Sequence, residues 1–378
     1  MRFLKPAALF VALALGGIVS AQEKLPDGLY AEFTTPHGVF TAELYYAKVP
    51  LSVTNFVGLA EGTIAPRNGA PYYTGLKWYR VVPGFVIQSG NPKAPADDEI
   101  GYTFADEFVP GLRHGEAGIL SMANGGPDTN SAEFFVTLGD DTRLNYLHSV
   151  FGRTLRGLEV LPQIKVDDAF TIKILRIGAA AQAFKADEAT FKALAAKARK
   201  YSGATEPGPT AHFDDRDKLL PVDPPRAKNF NFKLANYEHV TGVKIVARLF
   251  AKSPTETEDK VPGAFMRTLA VKLGVAQRGV LVAYFADEKD WRVWIGDELT
   301  AAFLGRPVTP ADLRNDGLLH EAKMALMDAA QAKGDAAFAA QQKAAAADKP
   351  VSPAQHVKLQ TDALLDALIP KFDPVRSP

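Results

Sequence analysis

Trp78-Tyr79-Arg80-Val81-Val82-Pro83-Gly84-Phe85-Val86-Ile87-Gln88-Ser89-Gly90 is the stretch on which the front of this chain turns, apolar almost throughout, with Arg80 as its one charged group. Residues 76–88 read as a buried strand. Two later stretches share the same character. One is Leu120-Ser121-Met122-Ala123-Asn124-Gly125-Gly126-Pro127-Asp128-Thr129-Asn130-Ser131-Ala132-Glu133-Phe134-Phe135-Val136-Thr137, whose end, residues 132–137, is again a strand. The other is Leu144-Asn145-Tyr146-Leu147-His148-Ser149-Val150-Phe151-Gly152, with a short strand over 150–153. Upstream, residues 30–35 and 39–46 flank Pro36-His37-Gly38, and Phe40, Ala42 and Leu44 alternate onto one face, the period-two signature of a hairpin. Pro50 suits the first turn of a helix; Val53, Phe56, Val57 and Ala60 then give one buried helical face, and Gly62 a stop. Residues 158–164 read as a short second helix and 171–177 as a closing strand. Many short strands with few helices predict an antiparallel barrel with helical plugs.

Taken singly, the polar residues here have ordinary readings. Arg80 would be a strand arginine in a surface ion pair, Phe134 and Phe135 core aromatics, His148 a structural histidine, and Asn124-Gly125-Gly126-Pro127 a plain turn. Their joint order and spacing, preceded by Asn55-Phe56-Val57-Gly58-Leu59-Ala60-Glu61-Gly62, resemble the cyclophilin family over residues 28–178. The resemblance implies an eight-stranded antiparallel barrel capped by two helices, with a proline pocket on its outer face and peptidyl-prolyl cis–trans isomerase activity. It places Arg80 on the family's catalytic arginine. Phe85, Phe135, Leu144 and His148 fall on the pocket wall, and Gln88, Ala123 and Asn124 on the groove that holds the peptide backbone. Phe134, alternating with Phe135, is left for the core.

The sequence also departs from that pattern. Glu133 stands where the family commonly has a glutamine, so a donor is lost and a charge enters the groove. Val86 replaces a usual methionine of the pocket with a smaller, stiffer wall. Arg143 stands where many members have a rim tryptophan, and residues 91–101 lack a frequent Gly-Thr-Gly stretch. These changes bear on substrate preference and cyclosporin sensitivity more than on the reaction. Rotation about an amide faces a barrier of ~18–20 kcal/mol because resonance must be broken. An X-Pro bond exchanges over tens of seconds or more. In the twisted state the proline nitrogen regains a lone pair, to which a permanently charged guanidinium can donate while an apolar pocket excludes water. No cofactor and no metal are called for.

Composition fits this assignment. The 378 residues, 47% of them hydrophobic, allow two or three domains with ordinary cores. Lys plus Arg equals Asp plus Glu at 43 each, so no strong field directs the chain to nucleic acid. The absence of cysteine excludes disulfides, thiolate metal sites and a cysteine nucleophile. Arg2 and Lys5, the apolar run 7–19 and Val19-Ser20-Ala21 read as a signal peptide over 1–21, cleaved before Gln22, with no stable membrane span afterwards. Export is therefore expected, to the periplasm if the source is Gram-negative. The partners would be proline-containing segments of unfolded or exported proteins, met by a monomer.

The domain over 22–178 is followed at 179–227 by a helix, then an extended linker with five prolines between Pro207 and Pro225. After it, strand and helix alternate: helix over 228–240, strand 243–250, helix 262–273, strands 279–285 and 291–295, and a helix from 299. This predicts a small α/β domain over 228–309. Thr241-Gly242-Val243-Lys244-Ile245, Gly279-Val280-Leu281-Val282 and Val293-Trp294-Ile295-Gly296-Asp297-Glu298-Leu299 resemble, distantly, the TPM domain, to which phosphatase activity has sometimes been ascribed. Residues 310–378 read as an Ala-rich helical tail, with helix over 310–347 and 356–368. Two alternatives to the isomerase remain at this point: a peptide-binding or chaperone module with weak turnover, and a scaffold for a phosphatase-like or docking domain behind it. Every predicted pocket residue precedes Gly152, so the front half is expected to fold and act alone.

Overall fold

A computed structural model describes residues 24–64, 70–91, 100–201, 206–222, 226–314, 317–345 and 350–373. The expected signal peptide and most of the loop 91–101 lie outside these residues. Strands β1 (Gly28–Thr35) and β2 (Gly38–Leu44) form the first hairpin. Helix α1 (Pro50–Glu61) follows, with proline in its first turn and Gly62 closing it in the left-handed conformation at φ 76°. Next come β3 (Arg80–Val82), β4 (Val86–Ser89), β5 (Ile119–Met122), β6 (Phe134–Thr137), β7 (Val150–Arg156) and β8 (Thr171–Ile177). The eight run antiparallel in the order β3-β4-β6-β5-β7-β2-β1-β8. A bridge between Lys77 and Ala169 and a 3.0 Å bond from Trp78 N to Asp168 O bring the two ends together and close the barrel. Inside, Phe33 stacks on Phe40 at 4.5 Å, and Phe134 meets Trp78 and Phe56 edge to face.

Three expectations change here. The strand read over 76–88 is a hairpin: Pro83-Gly84-Phe85 turns the chain back, with Gly84 at φ +69°, and β3 pairs with β4. Strand β5 is new to the reading: at four residues, with Ser121 inside it, it is too short to show an alternation. The second helix over 158–164 is a 3-10 turn, Leu158–Gln163, with Pro162 inside it. Helical packing on α1 comes instead from beyond residue 178. There α2 (Ala179–Ala183) leads to α3 (Glu188–Lys197), whose N-cap Asp187 accepts a 2.7 Å bond from Thr190 N. Phe191 of α3 sits edge to face with Phe104, and Ala181, Ala186 and Phe191 belong to the barrel core.

The rear unit is a four-stranded sheet in the order β12-β11-β10-β9, made of β9 (Phe213–Asp214), β10 (Lys244–Phe250), β11 (Gly279–Phe285) and β12 (Asp290–Ile295). Strands β9, β10 and β11 are parallel and β12 is antiparallel. All seven residues of β11 are buried, as a strand covered on both faces must be. Helix α5 (Ala264–Lys272) covers one face. The other carries α4 (Arg226–Thr241), α6 (Thr300–Leu304) and α8 (Pro353–Phe372), with α7 (Leu318–Ala344) packed along α8. Residues 310–314 form turns, so α7 starts later than its alanine content suggested.

The segment read as linker is anchored to this sheet. Its strand β9 pairs with β10, and the buried Arg248 guanidinium donates to the carbonyls of Pro209, Ala211 and His212. The carboxylates around β12 are occupied by neighbours: Asp287 caps Ser253, and Asp290, Glu288 and Asp259 pair with Arg292. Among the described residues, no group of three or more His, Cys, Asp or Glu is placed to hold a metal, and no helix is long and apolar enough to cross a membrane.

The two cores meet. Tyr146, on the loop between β6 and β7, has φ +60° and puts its ring against Tyr237 at 5.1 Å, inside the rear core. Its hydroxyl donates to Asp373 at 2.8 Å, and Arg113 donates to the same carboxylate at 2.5 Å. Asn236 in turn donates to Tyr146 O at 2.7 Å.

Candidate active site

The hairpin turn that splits the quoted stretch also builds one side of a small apolar pocket. Register pairs Arg80 with Gln88 across β3 and β4, and Gln88 with Phe135 across β4 and β6. Period two then sends Phe134 into the barrel, fully buried, and Phe135 to the other face. On that outer face Val86, Ala123 and Phe135 form a separate buried cluster, with Phe85 and Leu144 partly buried against it. His148 stands edge to face with Phe135 at 5.5 Å. Thus Phe85, Val86, Ala123, Phe135, Leu144 and His148 are brought together, on four different segments of chain.

Arg80 lies exposed at the mouth. Among the described residues its side-chain hydrogen-bond partner is Gln88, whose Oε1 accepts from Nη1 at 3.0 Å. Its guanidinium carbon is 5.5 Å from the Phe85 ring centroid. The Gln88 amide nitrogen donates to Glu133 at 3.1 Å and also to the Tyr79 hydroxyl, which itself donates to Glu133 at 2.8 Å. Glu133 is thereby tied through Gln88 to Arg80. Burial, and then the Glu133 charge, push the Tyr79 hydroxyl well above the ordinary phenol range, so Tyr79 stays a donor. Arg143 lays its guanidinium over the other part of the site, 4.1 Å from the Phe85 centroid, with Asp141 at 3.4 Å.

The floor is rigidly bonded. Ala123 N donates to Glu133 O at 3.0 Å. Asn124 spends its amide donors on the framework, at 2.9 Å to Leu147 O and 3.2 Å to Asp106. Asp106 also takes bonds from Asn130, Ser149 and Asp128 N, yet its burial pushes its pKa up to about 6. His148 faces Met122 O at 3.1 Å through Nδ1, and desolvation lowers its pKa to about 4. With the carbonyl as partner Nδ1 carries the proton, so at neutral pH Nε2 is a bare acceptor. Behind Phe135, stacked at 5.8 Å, His114 is fully buried between Asn145 and Ser121; desolvation lowers its pKa to about 3.

Sequence reasoning missed Tyr79 and His114. Tyr79 precedes β3, which begins at Arg80, and nothing in its neighbours marks it as a partner of Glu133 and Gln88. His114 is a lone histidine in a loop, and nothing in its neighbours signals that it backs the pocket.

The chain matches the family model described as cyclophilin type peptidyl-prolyl cis-trans isomerase over residues 30–178. It is 41% identical over 129 residues to the probable peptidyl-prolyl cis-trans isomerase A of Mycobacterium leprae, which covers 32% of this chain and 71% of that protein. It is 38% identical over 135 residues to the peptidyl-prolyl cis-trans isomerase-like 1 of Aspergillus fumigatus, covering 35% of this chain and 79% of that protein. A solved cyclophilin type isomerase of Cryptosporidium parvum covers 40% of this chain and 98% of its own, at 28% identity and a TM-score of 0.34. The chain belongs to the cyclophilin-type peptidyl-prolyl cis-trans isomerase family, and with it to the isomerases.

Proposed function

We propose that the protein isomerises X-Pro bonds in exported polypeptides and so assists their folding, with Arg80 as the catalytic residue. The observation that carries this is the pairing of an exposed guanidinium, steadied by Gln88, with an apolar pocket walled by Phe85, Val86, Phe135, Leu144 and His148. The proline ring would fill the pocket while Ala123, Asn124, Gln88 and Glu133 line the path of the peptide backbone. As the amide twists, the proline nitrogen becomes pyramidal and accepts from Arg80, an interaction absent from the planar ground state. No bond is made or broken. Neutral His148 and the apolar wall keep water from competing for that lone pair.

Export is supported by Arg2, Lys5, the apolar run 7–19 and the small residues before Gln22. A mass measurement on protein from the native host tests it: a chain beginning at Gln22 is expected, and a retained Met1 would refute cleavage. Glu133 and the Arg143 stack on Phe85 favour a second reading, a peptide-binding module of low turnover. Comparing kcat/KM with affinity for one short Ala-Pro peptide decides between them. Turnover well above the uncatalysed rate supports the enzyme, whereas binding without acceleration supports the module.

A further inference from the structure

A second cavity, of about 110 Å³, lies beside the proline pocket: it shares Leu144 and His148 with the pocket wall and is closed on its far side by the rear unit, through α4 and α8. That volume exceeds what one water needs and admits a side-chain carboxylate. Its polar lining is cationic. Arg143 comes from the pocket rim, Arg226 from the start of α4 and Lys358 from α8, against a single lining carboxylate, Asp362.

Most of these charges are already balanced. Lys358 pairs with Asp362, and Arg143 with Asp141. Lys233, also in the wall, is almost wholly buried and pairs with Asp366. Arg226 is different: among the described residues its buried Nε has no hydrogen-bond partner, and no carboxylate pairs with it. The first turn of α4, which opens on Arg226, contains no acidic residue to offset the positive end of the helix. Glu133 belongs to the Tyr79–Gln88 network and does not line this cavity. A guanidinium on the wall of such a cavity, with no carboxylate partner among the described residues, attracts an anionic group that enters it.

We infer that this cavity is a second subsite of the peptide groove, built jointly by the barrel rim and the rear unit, and that it takes an acidic side chain close to the isomerised proline, with Arg226 as its specificity-determining residue. The inference rests on the proline pocket being the substrate site. The rear unit is then part of the enzyme's substrate selection.

The test uses the full mature chain and short Ala-Pro peptides in which each residue flanking the proline is in turn Asp, Ala or Lys. Turnover and fluorescence-anisotropy affinity are measured on the same series. At one or more flanking positions Asp should be favoured over Lys by about five- to ten-fold, the scale of one partly buried charge contact. Arg226→Glu should reverse that preference and Arg226→Lys should keep its sign, while Lys192→Glu, at an exposed position of α3, should leave it alone. Where the reversal does not fold by circular dichroism, Arg226→Gln serves, and the preference should fall toward one. A flat wild-type series, or the same preference in a folded Arg226 variant, overturns the inference. Absence of turnover on every peptide would count against the isomerase reading instead, and the affinity series would still decide the subsite.

Discussion

At the scale of the residue, Arg80 is the test of mechanism. It is exposed and bonded through one edge to Gln88, so its removal leaves no cavity in the core. Arg80→Ala should lower kcat/KM by roughly 10²–10³, the cost of a preorganised donor aimed at a transition state, with an unchanged melting temperature. A folded variant with near wild-type turnover would remove Arg80 from the chemistry. Glu133 is the second case. Its carboxylate holds both Tyr79 and Gln88, so Glu133→Gln removes a charge and obliges that network to reorient. Activity on neutral peptides is expected to rise by a factor of about two to five, and any preference for basic residues near the proline to flatten. Identical Lys, Ala and Glu peptide profiles before and after the change would mean that Glu133 does not reach the substrate. The histidines supply a pH prediction. His148 and His114 bind protons near pH 6.5 when unfolded, but only near pH 4 and pH 3 when folded. The unfolded chain therefore binds more protons below pH 6.5, and the stability these groups confer is whole above that pH and lost as pH falls toward 4. Asp106, raised to about 6, acts in the opposite sense and offsets part of this loss between about pH 4 and 6. Melting temperature followed from pH 8 to pH 4 should fall, less steeply in His114→Gln if that variant folds; kcat/KM should stay level down to about pH 5.5, because His148 remains neutral. An inflection in kcat/KM near pH 6.5 would show that His148 titrates normally.

At the scale of the element, the pocket depends on two turns. The Pro83-Gly84-Phe85 turn swings Phe85 to the mouth. The segment from Asp141 to His148 carries Leu144 and His148, held by Asp141 N to His114 O at 2.7 Å and Leu144 N to Asp141 O at 2.8 Å. That second segment is also gripped from outside. Lys233 of α4 donates to Thr142 O at 3.3 Å, to Arg143 O at 3.4 Å and to Asp366 of α8, while Thr142 Oγ1 donates to Asp366 at 3.1 Å. Side-chain exposure is 1% for Lys233 and 9% for Asp366, so neither charge is screened by solvent. Lys233→Met should cost about 3–5 kcal/mol, because it leaves a buried carboxylate unpaired. It should also raise KM for Ala-Pro peptides, since the rim turn loses its outer support. Asp366→Asn with Lys233→Met together should recover part of the stability, and a double variant no better than the single one would show that the pair is not the source of the effect. Glycine sets one further constraint: Gly90, at φ +104°, lies so close to the Ala132 and Glu133 backbone that an added Cβ would fall 2.3 Å from Ala132 O, so the end of β4 accepts nothing larger.

At the scale of the whole molecule, the barrel has its own core, closed by α1 and α3, and residues 22–200 are expected to fold alone. Read from sequence, that piece would keep full activity. The contacts across the two cores change the expectation: in isolation Tyr146 loses Tyr237 and Asp373, Arg113 loses Asp373, and the rim turn loses Lys233. The fragment should therefore melt lower than the intact chain and turn over neutral Ala-Pro peptides several-fold more slowly. Thermal melting and a side-by-side isomerase assay check this; equal activity and equal stability would mean that the rear unit does not support the pocket. Proteolysis within residues 202–225 is likewise not expected to release two free bodies at once, since Tyr146, Arg113 and Lys233 hold the two units together wherever that segment is cut.

What the sequence determined by itself was local and periodic. Alternation across Phe134-Phe135 assigned one ring to the core and one to the outer face, Pro50 and Gly62 bounded α1, and the strand–helix alternation after residue 226 gave the rear sheet its order of elements. The joint order of Arg80, Phe85, Gln88, Phe135 and His148 was legible as a resemblance to the cyclophilin family; period two orients Gln88 and Phe135 on their strands, whereas Phe85 and His148 sit in turns that alternation does not reach. What only the tertiary structure decided were contacts between segments far apart in the chain. The bond of Lys233 to the rim turn spans some ninety residues and that of Arg113 to Asp373 spans 260. Such pairings carry no local signature: a lysine in an amphipathic helix, a lone histidine in a loop and an arginine after a proline run read as surface until the packing buries them. The same holds for β9 and α3, because two residues of strand and one helix outside the matched region acquire their partners only when the two cores are built.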